Sequence, residues 1–251
     1  MRCRPAEPEK RLRPARPDPV SLPRARSAIV ACTRCPRLRE YCQRVAQEKK
    51  AAFRDETYWG RPVPGFGDPS ARLLILGLAP AAHGANRTGR VFTGDGAGAS
   101  GDFLMRALYD NGFATLPFSQ RPDDGLRLND AFILAAVRCA PPDNKPTREE
   151  IVACQVHLDA EWGALPSVRV VVALGRIAFD ACWSALARQG RPVRPRPPFA
   201  HGAEYALAGG PVVIASFHPS RQNTNTGRLT PAMMHAVFAR ARAALNDKRS
   251  C

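Results

Sequence analysis

Apolar positions along this chain fall into two alternating patterns. Four short continuous runs, at residues 72–78, 131–137, 169–174 and 211–217, read as buried β-strands. The segments between and after them carry apolar residues three and four apart, the spacing of a helix with one buried face. In 99–111 that face is Phe103, Leu104, Ala107 and Leu108. Thr147 stands where a helix cap belongs, and Glu150 three residues on completes a capping box ahead of Ile151, Cys154, Leu158 and Trp162. Gly175 opens the turn into a helix near 177–186. Thr230 caps the last helix, with Pro231 in its first turn and Met234, Val237, Phe238, Ala241 and Leu245 as its buried face. Before the first strand, 36–52 reads as a helix polar on most faces. The stretch holding Gly60, Pro62, Pro64, Gly65, Gly67 and Pro69 is a long loop.

Strands that alternate with helices predict an α/β fold. We expect a doubly wound three-layer sandwich around a central, mainly parallel four-stranded sheet. Ligands in such sheets sit beyond the carboxyl ends of the strands. The chemistry is therefore expected in the segments 79–98, 138–147 and 218–227. No internal repeat interrupts the pattern.

Composition adds two constraints. The 251 residues are 45% hydrophobic, enough for a core, yet no apolar run approaches the roughly 18 residues of a membrane span. Lys and Arg number 37 against 22 Asp and Glu, a net charge of +15. That excess points to a polyanionic partner, nucleic acid first, although a basic surface also serves solubility. Residues 1–30 hold eight Lys and Arg, three acids and six prolines, and read as a flexible basic arm ahead of one domain at 31–251. They contain no apolar signal core, so the expected location is cytoplasmic.

A reducing compartment favours metal binding over disulfides for clustered cysteines. Cys32 and Cys35 form a CxxC, Cys139 ends the second strand, and Cys154 lies on the helix after it. Four such thiolates can enclose one zinc ion or one iron–sulfur cluster, and spacing does not choose between them. Cys154 also suits an ordinary apolar stripe, as do Cys42 and Cys182. Cys3 and Cys251 lie near the chain ends.

The strand-end segments are rich in small and polar residues. The first, from Gly77 through Ala79 and Pro80 to Gly84, lets a ligand approach the backbone. It continues through Arg87 and Arg90, which suit phosphate, to Phe92 and Asp95. Asp95 also fits a plain helix-entry carboxylate. No Walker loop is present and no GxGxxG follows a strand, which disfavours nucleotide hydrolysis. The second segment, Arg138 to Thr147, contains Asn144, which a turn alone would explain. The third contains His218, Ser220, Arg221, Gln222, Asn223 and Asn225, polar groups suited to a nucleic-acid groove, with Arg228 just beyond. A lone histidine is commonly structural, but His218 stands at a strand end.

In order, the chain reads GLAPAAHGANRTGR, FTGD, AAVRCAPPDNKPT and HPSRQNTNTG. This set resembles the iron–sulfur, broad-specificity branch of the uracil-DNA glycosylase superfamily, called type b or family five, over about residues 30–245. The resemblance implies a monofunctional enzyme that flips a deaminated base out of DNA and hydrolyses its glycosidic bond, leaving an abasic site for base-excision repair. It implies a [4Fe–4S] cluster on Cys32, Cys35, Cys139 and Cys154. It implies Asp95 as the catalytic carboxylate, Asn144 as its partner in positioning water, and His218 as donor to the leaving base. Phe92 would be the stacking platform, with Gly77, Ala79, Pro80 and Ala135 around the base. Arg87, Arg90 and the 220–227 loop, with Ser220, Arg221, Gln222, Asn223 and Asn225, would hold the DNA. Other branches carry a polar residue beside Pro80 and an Asn where this chain has Ala135, so a looser pocket, open to hypoxanthine, is expected. The expected substrate is double-stranded DNA containing uracil or another deaminated base, with single-stranded DNA as a second form, and the expected state a monomer. The competing reading is a non-catalytic iron–sulfur or zinc nucleic-acid-binding protein. Low aromatic content, 7%, argues against a stacking-platform binder.

Overall fold

The four apolar runs form the parallel centre of one sheet. The computed structural model describes residues 21–94 and 99–247. Its elements begin with helices α1 (Leu22–Val30) and α2 (Pro36–Glu48), the short strand β1 (Phe66–Gly67) and β2 (Leu73–Gly77). Then come α3 (Ala85–Thr88), α4 (Ser100–Asp110), β3 (Ala131–Ala135), α5 (Arg148–Gly163) and β4 (Val170–Leu174). The chain continues through α6 (Arg176–Arg188), β5 (Glu204–Ala206), β6 (Val212–Ser216), α7 (Arg221–Asn225) and α8 (Pro231–Asn246). The strand order is β1-β3-β2-β4-β6-β5. The pairs β3–β2, β2–β4 and β4–β6 are parallel, whereas β1 and β5 add short antiparallel edges to the four strands expected.

The pleat divides the core in two. Leu73 and Ile75 of β2, with Val170, Val172 and Leu174 of β4, face α4 and α8. Leu74 and Leu76, with Val171 and Ala173, face α5 and α6. Alternate residues of a strand point to opposite faces, so both faces are apolar and both are covered by helices, as the continuous apolar runs require. A smaller, separate cluster of Leu38, Cys42, Val137, Cys139 and Cys154 lies between α2, the end of β3 and α5.

Two expectations change. The basic arm does not extend to residue 30. Residues 22–30 form α1, with Pro23 in its first turn, and bury Ala25 and Ile29. These two residues lie four apart, the spacing that gives a short helix one apolar face, and α1 packs on α5. Residues 1–20, Cys3 among them, and Cys251 lie outside the described residues. The 220–227 loop also folds: Ser220 precedes the short helix α7, which ends before Gly227. The expected caps are in place. Thr147 and Glu150 form a reciprocal capping box, and the Thr230 side chain accepts from the Met233 N–H. Among the described residues no helix is long and apolar enough to cross a membrane.

Candidate active site

The order of the strands places a crevice. The chain leaves β2 for β3 on one side and reaches β4 on the other, and at such a reversal the loops splay apart beyond the strand ends. A cavity of about 700 Å³ opens there. Ala79, Pro80, Phe92, Ala135, Asn144, His218, Ser220, Arg221 and Gln222, all anticipated from sequence, line it. Asp95 belongs to the segment outside the described residues, but Thr93 before it and Ala99 after it both line the cavity.

Phe92 is held in a demanding conformation. Its φ is +52°, a left-handed value that a bulky residue adopts at a cost of about 1 kcal/mol or more. Two glycines make room for it. A Cβ on Gly77 would stand 2.9 Å from the Phe92 ring, and one on Gly101 would stand 2.4 Å from the Phe92 carbonyl oxygen. Gly77 is therefore the support beneath the ring rather than part of the cavity wall. The Phe92 and His218 rings are neighbours, with centroids 6.0 Å apart and planes tilted by 32°.

His218 follows β6 and packs over Gly175. The Asn223 side-chain amide donates to the His218 carbonyl oxygen at 2.8 Å, so α7 holds the histidine backbone from behind. Burial pushes the imidazole down from 6.5 to about 4. At neutral pH the ring is therefore neutral, with one N–H to donate.

Asn144 and its neighbour Asp143 both adopt positive φ, +58° and +53°. These residue types tolerate that region best, and consecutive use of it in a cavity wall is a strained, site-forming arrangement. The loop is clamped at its far end. Glu150 accepts from the Thr147 N–H and also from Arg37 of α2, at 2.7 and 2.8 Å. The hydrogen bond from Arg37, against the opposing effect of burial, keeps the Glu150 carboxyl below its usual range.

Arg87 and Arg90 do not serve as phosphate contacts. Both are buried, at 5% and 6% exposure. Arg87 pairs with Glu56, donates to the His83 and Gly94 carbonyls and lies over the Phe53 ring. Arg90 pairs with Asp124 at 2.6 Å and donates to Thr93, Ser119 and the Pro122 carbonyl. A guanidinium offers five donors, and here carbonyls and carboxylates from neighbouring loops take them. These arginines shape the loop that carries Phe92. Asn223 likewise turns inward, and Asn225, on α7, is not among the residues lining the cavity.

Sequence reasoning missed Tyr41, Lys50, Phe53 and His83, which complete the wall. The first three come from α2 and the turn after it, far from any strand end, and no local pattern marks them. Tyr58 hydroxyl and His83 Nδ1 are 3.1 Å apart.

The four candidate cysteines converge. Cys32, Cys35, Cys139 and Cys154 line one small pocket with Leu38, Val137, Arg138 and His157. None is in a disulfide; Cys139 and Cys154 are buried. The Arg138 N–H donates to Cys154 Sγ at 3.3 Å. Burial raises the Cys35 thiol and pushes Cys154 up to about 12; a hydrogen bond to Cys42, then burial, raises Cys139. Cys42 stays a core residue, with its Sγ 3.6 Å from the Ala140 carbonyl. Among the described residues no three Cys, His, Asp or Glu side chains converge tightly enough for a single metal ion. Four thiols around one pocket are the donor set that an iron–sulfur cluster or a zinc ion uses.

A crevice over a doubly wound sheet, with an aromatic ring beside a neutral imidazole, defines a site for a planar ring with hydrogen-bonding edges. The model of the uracil DNA glycosylase superfamily matches residues 64–242, and the chain belongs to that superfamily. Within it, the chain is similar to proteins named type-5 uracil-DNA glycosylase. One from Thermus thermophilus is 54% identical over 214 residues, 85% of this chain and 94% of that protein. One from Mycobacterium leprae is 48% identical over 223 residues, 88% and 95% of the two chains. One from Pyrobaculum aerophilum is 45% identical over 215 residues, 86% and 89%.

Proposed function

We propose that this protein is a monofunctional uracil-DNA glycosylase that hydrolyses the bond between deoxyribose C1′ and the flipped base. The observation that carries this reading is the convergence of Phe92, Asn144 and His218 on one cavity in a chain of this superfamily. Extrusion of the base costs a few kcal/mol, and stacking on the Phe92 ring offsets part of it. As the C–N bond breaks, its electron pair moves to the base and positive charge gathers on the sugar. The neutral His218 N–H donates to a base carbonyl and stabilises the anion. Asn144 orients the attacking water, and Asp95 takes its proton and stabilises the sugar cation by its charge. Water oxygen bonds C1′; the base leaves and is protonated.

The floor of the cavity is apolar at Ala79, Pro80 and Ala135, so no side-chain amide there reads the base edge. This supports a wider range that includes hypoxanthine. The substrate is double-stranded DNA containing uracil or another deaminated base, with single strands accepted, and the protein acts as a monomer in cytoplasmic base-excision repair. Cys32, Cys35, Cys139 and Cys154 hold a [4Fe–4S] cluster. When bound, it supplies metal–thiolate bonds that tie the segment ahead of α2 to the end of β3 and to α5.

The test is strand nicking of a uracil-containing duplex after alkaline treatment. Wild type cleaves. Asp95→Ala and Asn144→Ala lose about 10²- to 10⁴-fold in turnover while still binding DNA. Wild-type rates in both variants would remove the assignment. Borohydride should trap no protein–DNA adduct, although Lys50 lines the cavity. Iron and sulfide analysis of the purified protein tests the cluster.

A further inference from the structure

We propose that His157 donates a hydrogen bond to a sulfur of the iron–sulfur cluster and thereby raises its reduction potential, an inference that rests on the cluster reading above. His157 lies three residues beyond Cys154 on α5, on the same helical face. It is 6% exposed and lines the same pocket as the four cysteines. Its Nε2 is fully buried and has no hydrogen-bond partner. A buried ring nitrogen left without a partner keeps the full cost of its desolvation, so its presence calls for a partner. Arg138, the other buried polar side chain of the pocket, is held by an ion pair, although its Nε, like His157 Nε2, has no hydrogen-bond partner. The Arg138 N–H is directed at Cys154 Sγ, and the Arg138 guanidinium pairs with Glu161 at 2.7 Å. Arg138 Nη2 also donates to the His157 carbonyl at 3.4 Å, which anchors this turn of α5. What the pocket lacks is an acceptor, and thiolate or sulfide sulfur is one. A donor to such a sulfur stabilises the reduced, more negative cluster more than the oxidised one.

The experiment compares His157→Leu with His157→Gln in the cluster-loaded, full-length protein. Leucine removes the donor; glutamine keeps an N–H. The leucine variant should show a lower midpoint potential and iron release to a chelator about tenfold or more faster than wild type. The glutamine variant should return both toward wild type. Potentials and release rates unchanged in both variants would overturn the inference. Should the leucine variant fail to fold, pulsed electron paramagnetic resonance of the reduced wild type, labelled with ¹⁵N in its histidines, decides. Coupling to a histidine nitrogen that His157→Gln abolishes supports the bond, and its absence refutes it. Wild type free of iron and sulfide overturns the cluster reading, and this inference with it, before any variant is made.

Discussion

Arginine shows how one residue type reads differently in sequence and in space. Arg90 sits in a glycine-rich strand-end loop, as a phosphate ligand would, yet its guanidinium is enclosed by Asp124, Thr93 and Ser119. Burial alone would raise the Asp124 carboxyl; Arg90 and backbone N–H groups of Leu126, Arg121 and Gln120 hold it at about 2. Removing one partner of a buried pair strands the other charge. Arg90→Ala should therefore cost about 3 kcal/mol in a denaturant titration and leave the salt slope of DNA binding unchanged. A weaker slope with full stability would restore the phosphate role. His218 makes a second prediction. Its imidazole falls from 6.5 to about 4 on burial, so the unfolded chain binds the proton more readily between those values. The stability it confers is present above pH 6.5 and is lost as pH falls toward 4. The drop in Tm between pH 7 and pH 5 should shrink in His218→Gln.

At the scale of elements, short structures set the site. Phe92 is aimed by the left-handed turn beneath α4 and by the absence of side chains at Gly77 and Gly101. Gly77 has an ordinary strand conformation, so Gly77→Ala adds a Cβ against the ring without backbone strain. That substitution should tilt the platform and lower kcat/KM by about 10²-fold with little change in Tm. Equal kinetics would show that the ring does not need that support. Helix α1 gives a complementary case. Ile29 is fully buried, and Ile29→Ala should cost about 2–4 kcal/mol, readable as a shifted unfolding midpoint. A flexible arm would show no change. The apolar pair Ala25 and Ile29 was present in the sequence, but its dense Arg and Pro surroundings masked a helix whose stability comes from docking on α5.

Across the whole molecule, the sheet reversal, the cysteine pocket and the net charge act together. The sheet opens the crevice. The α2 segment contributes Cys35 just before its first turn and Tyr41 to the cavity wall, so the cysteine pocket and the cavity share one helix. The +15 charge supplies sequence-independent attraction to DNA. With six or more phosphates neutralised, affinity should fall roughly 10³-fold between 50 and 200 mM salt in a binding titration. A flat response would place the excess charge elsewhere than at the DNA.

The sequence by itself determined the α/β layering, the four parallel strands, the caps at Thr147 and Thr230, and the strand-end segments that hold Phe92, Asn144 and His218. These are local or periodic signals: burial on both faces demands continuous apolar runs, and a cap needs its hydroxyl beside its helix. Only the tertiary structure decided that Arg87 and Arg90 turn inward, that Gly77 supports a ring fifteen residues away in sequence, and that α2 walls the cavity. It also decided that His157 shares a pocket with four cysteines. Each of those depends on which distant segments share a volume, and hydrogen-bond demand inside that volume assigns the side chain its partner.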